Sequence, residues 1–187
     1  MRSLDPEADM EMTIMTDHEL ADRLSQLVWE HVTDFLEGGS PGSELRMELA
    51  DRPVDLDELL IFFLWVHTHV VQQAYAGRYS SSVVKQLLDA MHRRVFADLE
   101  EHGIAASRLP LFEQVISSRY AEYYAAAKSE TQRIGELAAS LVDDQSDGTD
   151  RDALAAALAQ ASVEVAGPLR DFLVEVRLAP EPAVSPT

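Results

Sequence analysis

A stripe of polar and aromatic side chains recurs in the middle of the sequence at spacings of three and four residues. Its members are Thr68, His69, Gln72, Tyr75 and Tyr79. Residues at these spacings share one face of a helix. Hydroxyl, imidazole and amide groups make directional hydrogen bonds, and tyrosine adds a flat apolar ring. The stripe therefore indicates ligand binding by hydrogen bonding and ring contact.

All five tyrosines fall into two clusters, of which the second contains Tyr120, Tyr123 and Tyr124. If the two helices that carry the clusters are neighbours, the clusters face each other across the stripe. One interpretation is a pocket with an aromatic wall and a few polar groups. The other is a satisfied interior network whose hydroxyls reach the surface. The predicted ligand-binding residues are His69, Gln72, Tyr75, Tyr79, Tyr120 and Tyr124.

Signatures of catalysis and metal binding are missing from the sequence. It contains no GxSxG, P-loop or glycine-rich dinucleotide motif, and no HExxH. Asp89 and His92 are spaced to chelate from one helix, yet they supply two ligands where a zinc site needs three or four. We therefore predict no catalytic residues, no metal site and no cofactor.

The apolar run LLIFFLWVHTHVV, residues 59–71, determines the interpretation of two histidines. As a strand it would place His67 and His69 on one face, ready for a metal, whereas in a helix they point about 200° apart. Asp55 with Glu58 gives a helix N-terminal signature, and QQAYA continues the helix. Thirteen residues rise about 20 Å in a helix, short of the roughly 30 Å bilayer core. We predict a buried central helix near 55–76.

Sequence patterns typical of further helices lie on both sides of residues 59–71. Thr16 and Glu19 form a capping box for a helix over 16–37, and Ser80 with Ser81 begins another that ends at a Schellman motif around Gly103. Residues 44–50 favour a short helix over a strand. Pro110 begins a further helix, which either restarts near Ser129 or continues to Val142. A last helix begins at Thr149, and Gly167-Pro168 is expected to kink or split it.

These elements predict an all-α, single-domain bundle of five or six helices, mainly antiparallel. The bundle covers residues 16–178, preceded by a flexible acidic, Met-rich arm over 1–15 and followed by a disordered tail over 179–187. The chain has 187 residues, of which 47% are hydrophobic, enough for one core. There is no cysteine, and the N-terminus lacks a secretory apolar region, so we expect a cytoplasmic location.

The net charge is −18, from 33 acidic and 15 basic residues. Such a chain repels polyanions, so nucleic acid and an anionic membrane surface are not expected as partners. Two origins of the acidity remain open: adaptation to concentrated salt, as in a halophile, or a GC-rich genome that avoids lysine.

Over about residues 60–127, the order of a His-bearing helix, LLDAMHRRVFADLEEHGI and RYAEYYAAA resembles the layout of ubiquinol–cytochrome c chaperones. No residue role is taken from that resemblance.

The leading functional hypothesis is a protein-interaction or assembly factor with a protein partner or self-association, including a homodimer through the helix face of 153–173. The alternative is a small-molecule-binding protein or enzyme that uses the Tyr/His/Gln-lined cavity.

Overall fold

The computed structural model describes residues 12–37, 54–143 and 148–179, and these ranges fold as a helical bundle. The helices are α1 (Asp17–Glu37), α2 (Leu56–Tyr75), α3 (Ser81–Glu101), α4 (Leu109–Ala127), α5 (Thr131–Val142) and α6 (Thr149–Glu175). A 3₁₀ turn (Ala106–Arg108) precedes α4, and two short strands are β1 (Thr13–Met15) and β2 (Val176–Leu178). The predicted helical-bundle fold is thus confirmed.

Some sequence predictions lie outside the described residues. They concern the short helix over 44–50, residues 1–11 of the arm, residues 144–147 of the acidic loop, and the tail from 180 onwards. Of the predicted arm, residues 13–15 lie within the described part of the chain and form β1.

The predicted helix caps are confirmed. Thr16 Oγ1 accepts a hydrogen bond from the backbone N–H of Glu19, and the Glu19 carboxylate accepts one from Thr16 N at 2.8 Å. At the start of α2, the Asp55 carboxylate accepts from the backbone of Asp57 and Glu58. Each cap satisfies N–H groups that have no partner within the helix, which fixes where these helices begin.

The end of α3 is the predicted Schellman motif. Gly103 has φ 98°, and its N–H donates to Glu100 O, while Ile104 N–H donates to Leu99 O. Glycine adopts this left-handed backbone without the steric cost that a Cβ would bring. The chain therefore leaves α3 sharply and returns as α4.

The structure shows where the helix that begins near Pro110 ends and whether the last helix is split at Pro168. The helix that begins near Pro110 ends at Ala127, and α5 restarts at Thr131, so the chain does not run on as one helix. The last helix, in contrast, continues through Gly167 and Pro168 to Glu175 without being split. Pro168 removes one backbone hydrogen bond, and packing of the surrounding residues of α6 in the core keeps the helix continuous.

Helix α2 lies at the centre of the bundle and contacts each of the other five helices in the described residues. Every residue from Leu59 to Val66 is at most 3% exposed. Burial of such large apolar side chains stabilises the fold by roughly 1.5–3 kcal/mol each. The run is apolar on all sides because helices cover it on all sides, as predicted. Among residues 12–37, 54–143 and 148–179, none of the helices is long and apolar enough to cross a membrane.

A two-stranded parallel sheet joins the ends of the described chain, which an all-α prediction did not anticipate. Thr13 pairs with Val176 and Met15 with Leu178. Beside this sheet, the Arg78 guanidinium donates to Leu173 O at 2.9 Å and to Val176 O at 3.2 Å. A cation at these carbonyls complements the negative end of the α6 dipole. The turn between α2 and α3 is thereby fastened to the end of α6.

The α5–α6 contact is the most extensive helix pair in the described residues, and Gly135 lies within it. A Cβ built on Gly135 would lie 2.1 Å from Ala155 O and 2.8 Å from the Ala159 Cβ. These two helices therefore approach each other so closely that only hydrogen fits at position 135.

The substitution Gly135→Ala should destabilise the protein by about 1–3 kcal/mol, because the steric overlap of the new methyl group with α6 costs more free energy than the higher helix propensity of alanine gains. Urea unfolding monitored by circular dichroism measures the change. The neighbouring exposed substitution Glu136→Ala is the control and should stay within about 0.5 kcal/mol. A stabilised Gly135→Ala variant would contradict the close approach.

A pair of histidines lies between α1 and α2. His67 is fully buried, and its Nδ1–H donates to Phe63 O at 2.8 Å. Its Nε2 is then left to accept the Nδ1–H of His31 at 3.2 Å. Burial lowers the pKa of His67 from 6.5 to about 3, and it also lowers the pKa of His31. Both imidazoles are therefore neutral hydrogen-bonding groups of the core.

This pair should make the fold sensitive to acid. In the unfolded chain His67 takes up a proton near pH 6.5, whereas in the folded chain it stays unprotonated until about pH 3. Stability is thus retained above pH 6.5 and lost towards pH 3, by about 1 kcal/mol per pH unit below pH 6. Urea unfolding at pH 6 and pH 5 should show this extra slope in the natural chain and not in His67→Gln. The exposed His18→Gln is the control, and equal slopes in all three chains would refute the interpretation.

Candidate functional site

A cleft of about 610 Å³ opens between the C-terminal half of α2, the first three turns of α3 and the second half of α4. We call it the tyrosine cleft. Its lining residues include Gln72, Tyr79, Lys85, His92, Tyr120 and Tyr124. It lies beside the part of α2 where polar residues such as Gln72 follow the apolar run.

The Tyr120 hydroxyl is held in a chain of hydrogen bonds along one wall. His92 Nδ1 lies 2.7 Å from Leu88 O, so this nitrogen carries the imidazole proton, and Nε2 accepts from the Tyr120 hydroxyl at 2.9 Å. Tyr120 in turn accepts from Thr68 Oγ1 at 3.1 Å. This series of hydrogen bonds links α2 to α4 and α4 to α3. Each of the three side chains is thereby held in one orientation.

Burial keeps this wall uncharged. Desolvation raises the pKa of Tyr120 well above its usual value and lowers the pKa of His92. The hydrogen bond from Thr68 to Tyr120 acts in the opposite direction, with the smaller effect. At neutral pH the wall therefore presents a phenol and a neutral imidazole, and neither carries a charge to offer a ligand.

Tyr124 lies next to Tyr120, with their ring centroids 6.3 Å apart and the rings nearly perpendicular at 87°. The Tyr124 hydroxyl donates to Gln72 Oε1 at 2.7 Å. Within the described residues, the Gln72 amide nitrogen has no hydrogen-bond partner. It is exposed and lines the cleft, so it is a donor open to a bound molecule.

The other end of the cleft is formed by Tyr75 and Tyr79, whose rings meet edge to face at 5.0 Å. The Tyr79 hydroxyl accepts from Leu178 N at 2.9 Å, which ties the cleft to β2. Tyr75 is fully buried, and burial raises its pKa to about 12. Its hydroxyl has no hydrogen-bond partner in the part of the chain that the structure describes.

Of the six predicted site residues, five line the cleft and His69 does not. The His69 ring stacks on Trp65 at 5.2 Å and 10°, and its Nε2 accepts from the Gln73 amide at 2.8 Å. Its other neighbour is the edge of Tyr124, at 5.7 Å. His69 thus lies behind the cleft, where desolvation and the nearby Arg170 lower its pKa. Ligand binding by the five remaining residues stays a prediction.

Sequence reasoning missed the contribution of α3. Ser81, Lys85, Leu88 and His92 follow one another by four, three and four residues and all line the cleft. This helical spacing was a usable signal, but His92 was considered only as a metal ligand with Asp89. The Asp89 carboxylate instead pairs with Lys85 at 2.5 Å. Among residues 12–37, 54–143 and 148–179, no three acidic or histidine side chains are placed to hold a metal.

An ion pair near the start of α2 joins α4 to α2. Arg119 Nε donates to both carboxylate oxygens of Glu58, at 2.9 and 3.0 Å, and Arg119 Nη1 reaches Glu122 at 3.2 Å. Glu58 is buried, so its carboxylate depends on this partner. Because Arg119 immediately precedes Tyr120, the pair also fixes the register at which the cleft tyrosines meet α2.

Two smaller hollows lie elsewhere in the described chain. One of about 130 Å³ is lined mainly by apolar residues, including Leu99, Leu111 and Phe112. The other, of about 170 Å³, lies beside His31 and Glu164. Both are below the roughly 300 Å³ at which small-molecule sites begin, whereas the tyrosine cleft is well above it.

Comparison with known proteins gives no match: no protein-family model fits the chain, and no curated protein or solved structure matches it. The resemblance to ubiquinol–cytochrome c chaperones therefore gains no support. The site is interpreted from its geometry.

The substitution Tyr120→Phe should cost about 1–2 kcal/mol of folding free energy, because it leaves the enclosed His92 and Thr68 groups without their partner. The matched substitution Tyr124→Phe should cost under about 0.5 kcal/mol, since the exposed Gln72 can turn to water instead. Urea unfolding of the two variants measures the difference. Equal losses of folding free energy in the two variants would mean that the hydrogen bonds of Tyr120 to His92 and Thr68 are not shielded from water.

Proposed function

We propose that this chain is a small-molecule-binding protein that uses the tyrosine cleft. The observation that supports the proposal is the cleft of about 610 Å³, with aromatic and polar walls contributed by three helices. Its size lies within the range of small-molecule sites, and a few polar groups among apolar and aromatic surface is their usual composition. Of the two hypotheses drawn from the sequence, this is the one that the cleft supports.

The walls of the cleft are fixed in advance by contacts within the protein. Thr68 and His92 hold the Tyr120 hydroxyl, Gln72 holds the Tyr124 hydroxyl, and a backbone N–H of β2 holds Tyr79. Side chains that are already ordered lose little conformational entropy when a ligand arrives. The cleft therefore has the preorganisation expected of a binding site.

The chemistry of the walls favours binding over catalysis. A general base needs a free lone pair and a pKa near the working pH. The Nε2 lone pair of His92 is occupied by the Tyr120 hydroxyl, and burial lowers the pKa of His92 while raising that of Tyr120. Neither group is poised to move a proton to or from a bound molecule.

The protein-interaction function that led the sequence-based hypotheses stays a prediction. The predicted homodimer face over 153–173 buries most of its large apolar side chains within the same chain, including Leu158, Val165 and Leu169, while Val163 is exposed. Exposed large apolar side chains occur on several elements of the described chain: Met12, Ile14, Leu36, Leu56, Leu111, Val163 and Val174. Nothing about them indicates a particular partner.

Titrating the labelled protein separately with phenol, benzylamine and benzoate, with amide chemical shifts as the readout, tests the binding function. At least one compound should shift amides that line the cleft, such as Gly77, Ser81 and Leu88, at millimolar concentrations or below. The three compounds share a ring and differ in charge, so the test does not presume the charge of the ligand.

A cleft-filling variant provides the control. Ser81→Trp places a large side chain at the lining, and binding should weaken at least about tenfold, a loss of about 1.4 kcal/mol. Ser140→Trp, at an exposed position on α5 outside the lining, should bind as the natural chain does. If neither these three compounds nor choline, a cation without a ring, shifts cleft amides up to about 10 mM, or if Ser81→Trp binds equally well, the proposed function is wrong.

A further inference from the structure

The charge around the tyrosine cleft bears on the kind of molecule it takes, if the proposed function holds. The charged residues of the lining are Lys85 and Asp89, which pair with each other. His92 is neutral, so the charges of the lining itself cancel, and Arg78 lies at the edge of the cleft outside the lining. The chain as a whole carries −18, and its field raises the concentration of cations near the surface and lowers that of anions.

The tyrosine rings of the lining add a local attraction for positive charge. Tyr79, Tyr120 and Tyr124 are each half-buried and line the cleft, so each contributes aromatic surface to it. Tyr120 and Tyr124 stand nearly perpendicular, so that they offer surfaces in different directions. The face of an aromatic ring carries partial negative charge and attracts a cation placed over it.

One internal contact shows the same interaction at the edge of the cleft. The guanidinium carbon of Arg78 lies 5.2 Å from the centroid of the Tyr75 ring and 5.9 Å from that of the Tyr79 ring. Both distances are within the range at which a cation is attracted to a ring face. The tyrosines at this end of the cleft therefore already hold one cation of the protein itself.

We infer that the ligand of the tyrosine cleft is a small organic cation of the alkylammonium class, held against the rings of Tyr120 and Tyr124. An anion would meet the repulsion of the acidic chain without a free cation to receive it. A neutral molecule of the same shape would gain the apolar contact but neither the ring attraction nor the favourable long-range field. The Gln72 amide and the Asp89 carboxylate provide polar contacts at the rim.

The sharpest test compares two molecules of nearly identical shape, choline and 3,3-dimethyl-1-butanol, which differ in the charge of one central atom. Amide chemical shifts at the cleft measure both dissociation constants. Choline should bind about fivefold tighter, the equivalent of about 1 kcal/mol from the ring faces. Its advantage should shrink in high salt, because long-range attraction is screened.

Substitutions at the rim separate a local effect of charge from a global one. Lys85→Gln should tighten choline binding about threefold, and Asp89→Asn should weaken it about threefold, because each leaves the other charge unpaired at the cleft. The matched controls Lys128→Gln and Glu136→Gln make the same changes in net charge at exposed positions outside the lining, and they should leave binding nearly unchanged.

These measurements distinguish failure of the cation inference from failure of the proposed binding function. If 3,3-dimethyl-1-butanol binds the cleft as tightly as choline, or if phenol or benzoate binds while choline does not, the cation inference is overturned and the binding function stands. If none of these compounds binds the cleft, the proposed function itself fails. Rim variants without effect on choline binding would also overturn the inference.

Discussion

The structure depends on one constraint: a helix that is apolar on every side has to be covered on every side. Helix α2 meets this constraint by contacting all the other helices of the described chain. Beyond Thr68 this helix is no longer buried on every side: Val70 and Val71 stay covered, whereas Gln72 and Gln73 are exposed. The tyrosine cleft lies at this transition, so the position of the cleft follows from the composition of the central helix.

Polar groups at the transition are tolerated because side chains of other helices satisfy them. His67 bonds to His31 of α1, and Thr68 bonds to Tyr120 of α4, which in turn bonds to His92 of α3. The first two bonds join α2 to α1 and to α4, and the third joins α4 to α3. The same bonds that avoid the cost of unsatisfied buried groups also orient the walls of the cleft.

The parts of the fold that the sequence predicted are those set by local spacing. Caps such as Asp55 and the Gly103 turn depend on residues within one helical turn, and the unbroken apolar run of α2 indicated its burial. Contacts between distant segments were out of reach: the pairing of β1 with β2, the role of His92, and the stacking of His69 on Trp65 instead of in the cleft. Pro168 was expected to disrupt α6, but tertiary packing overrode its local preference.

The pairing of β1 with β2 has a consequence for the order in which the molecule assembles. Thr13 and Val176 are partners across nearly the whole described length of the chain, so closing that loop carries a large entropic cost before any strand hydrogen bond forms. Contacts of such long sequence separation arise late in folding. Since Tyr79 is held by the backbone of β2, we expect that side of the cleft to reach its final geometry late in assembly.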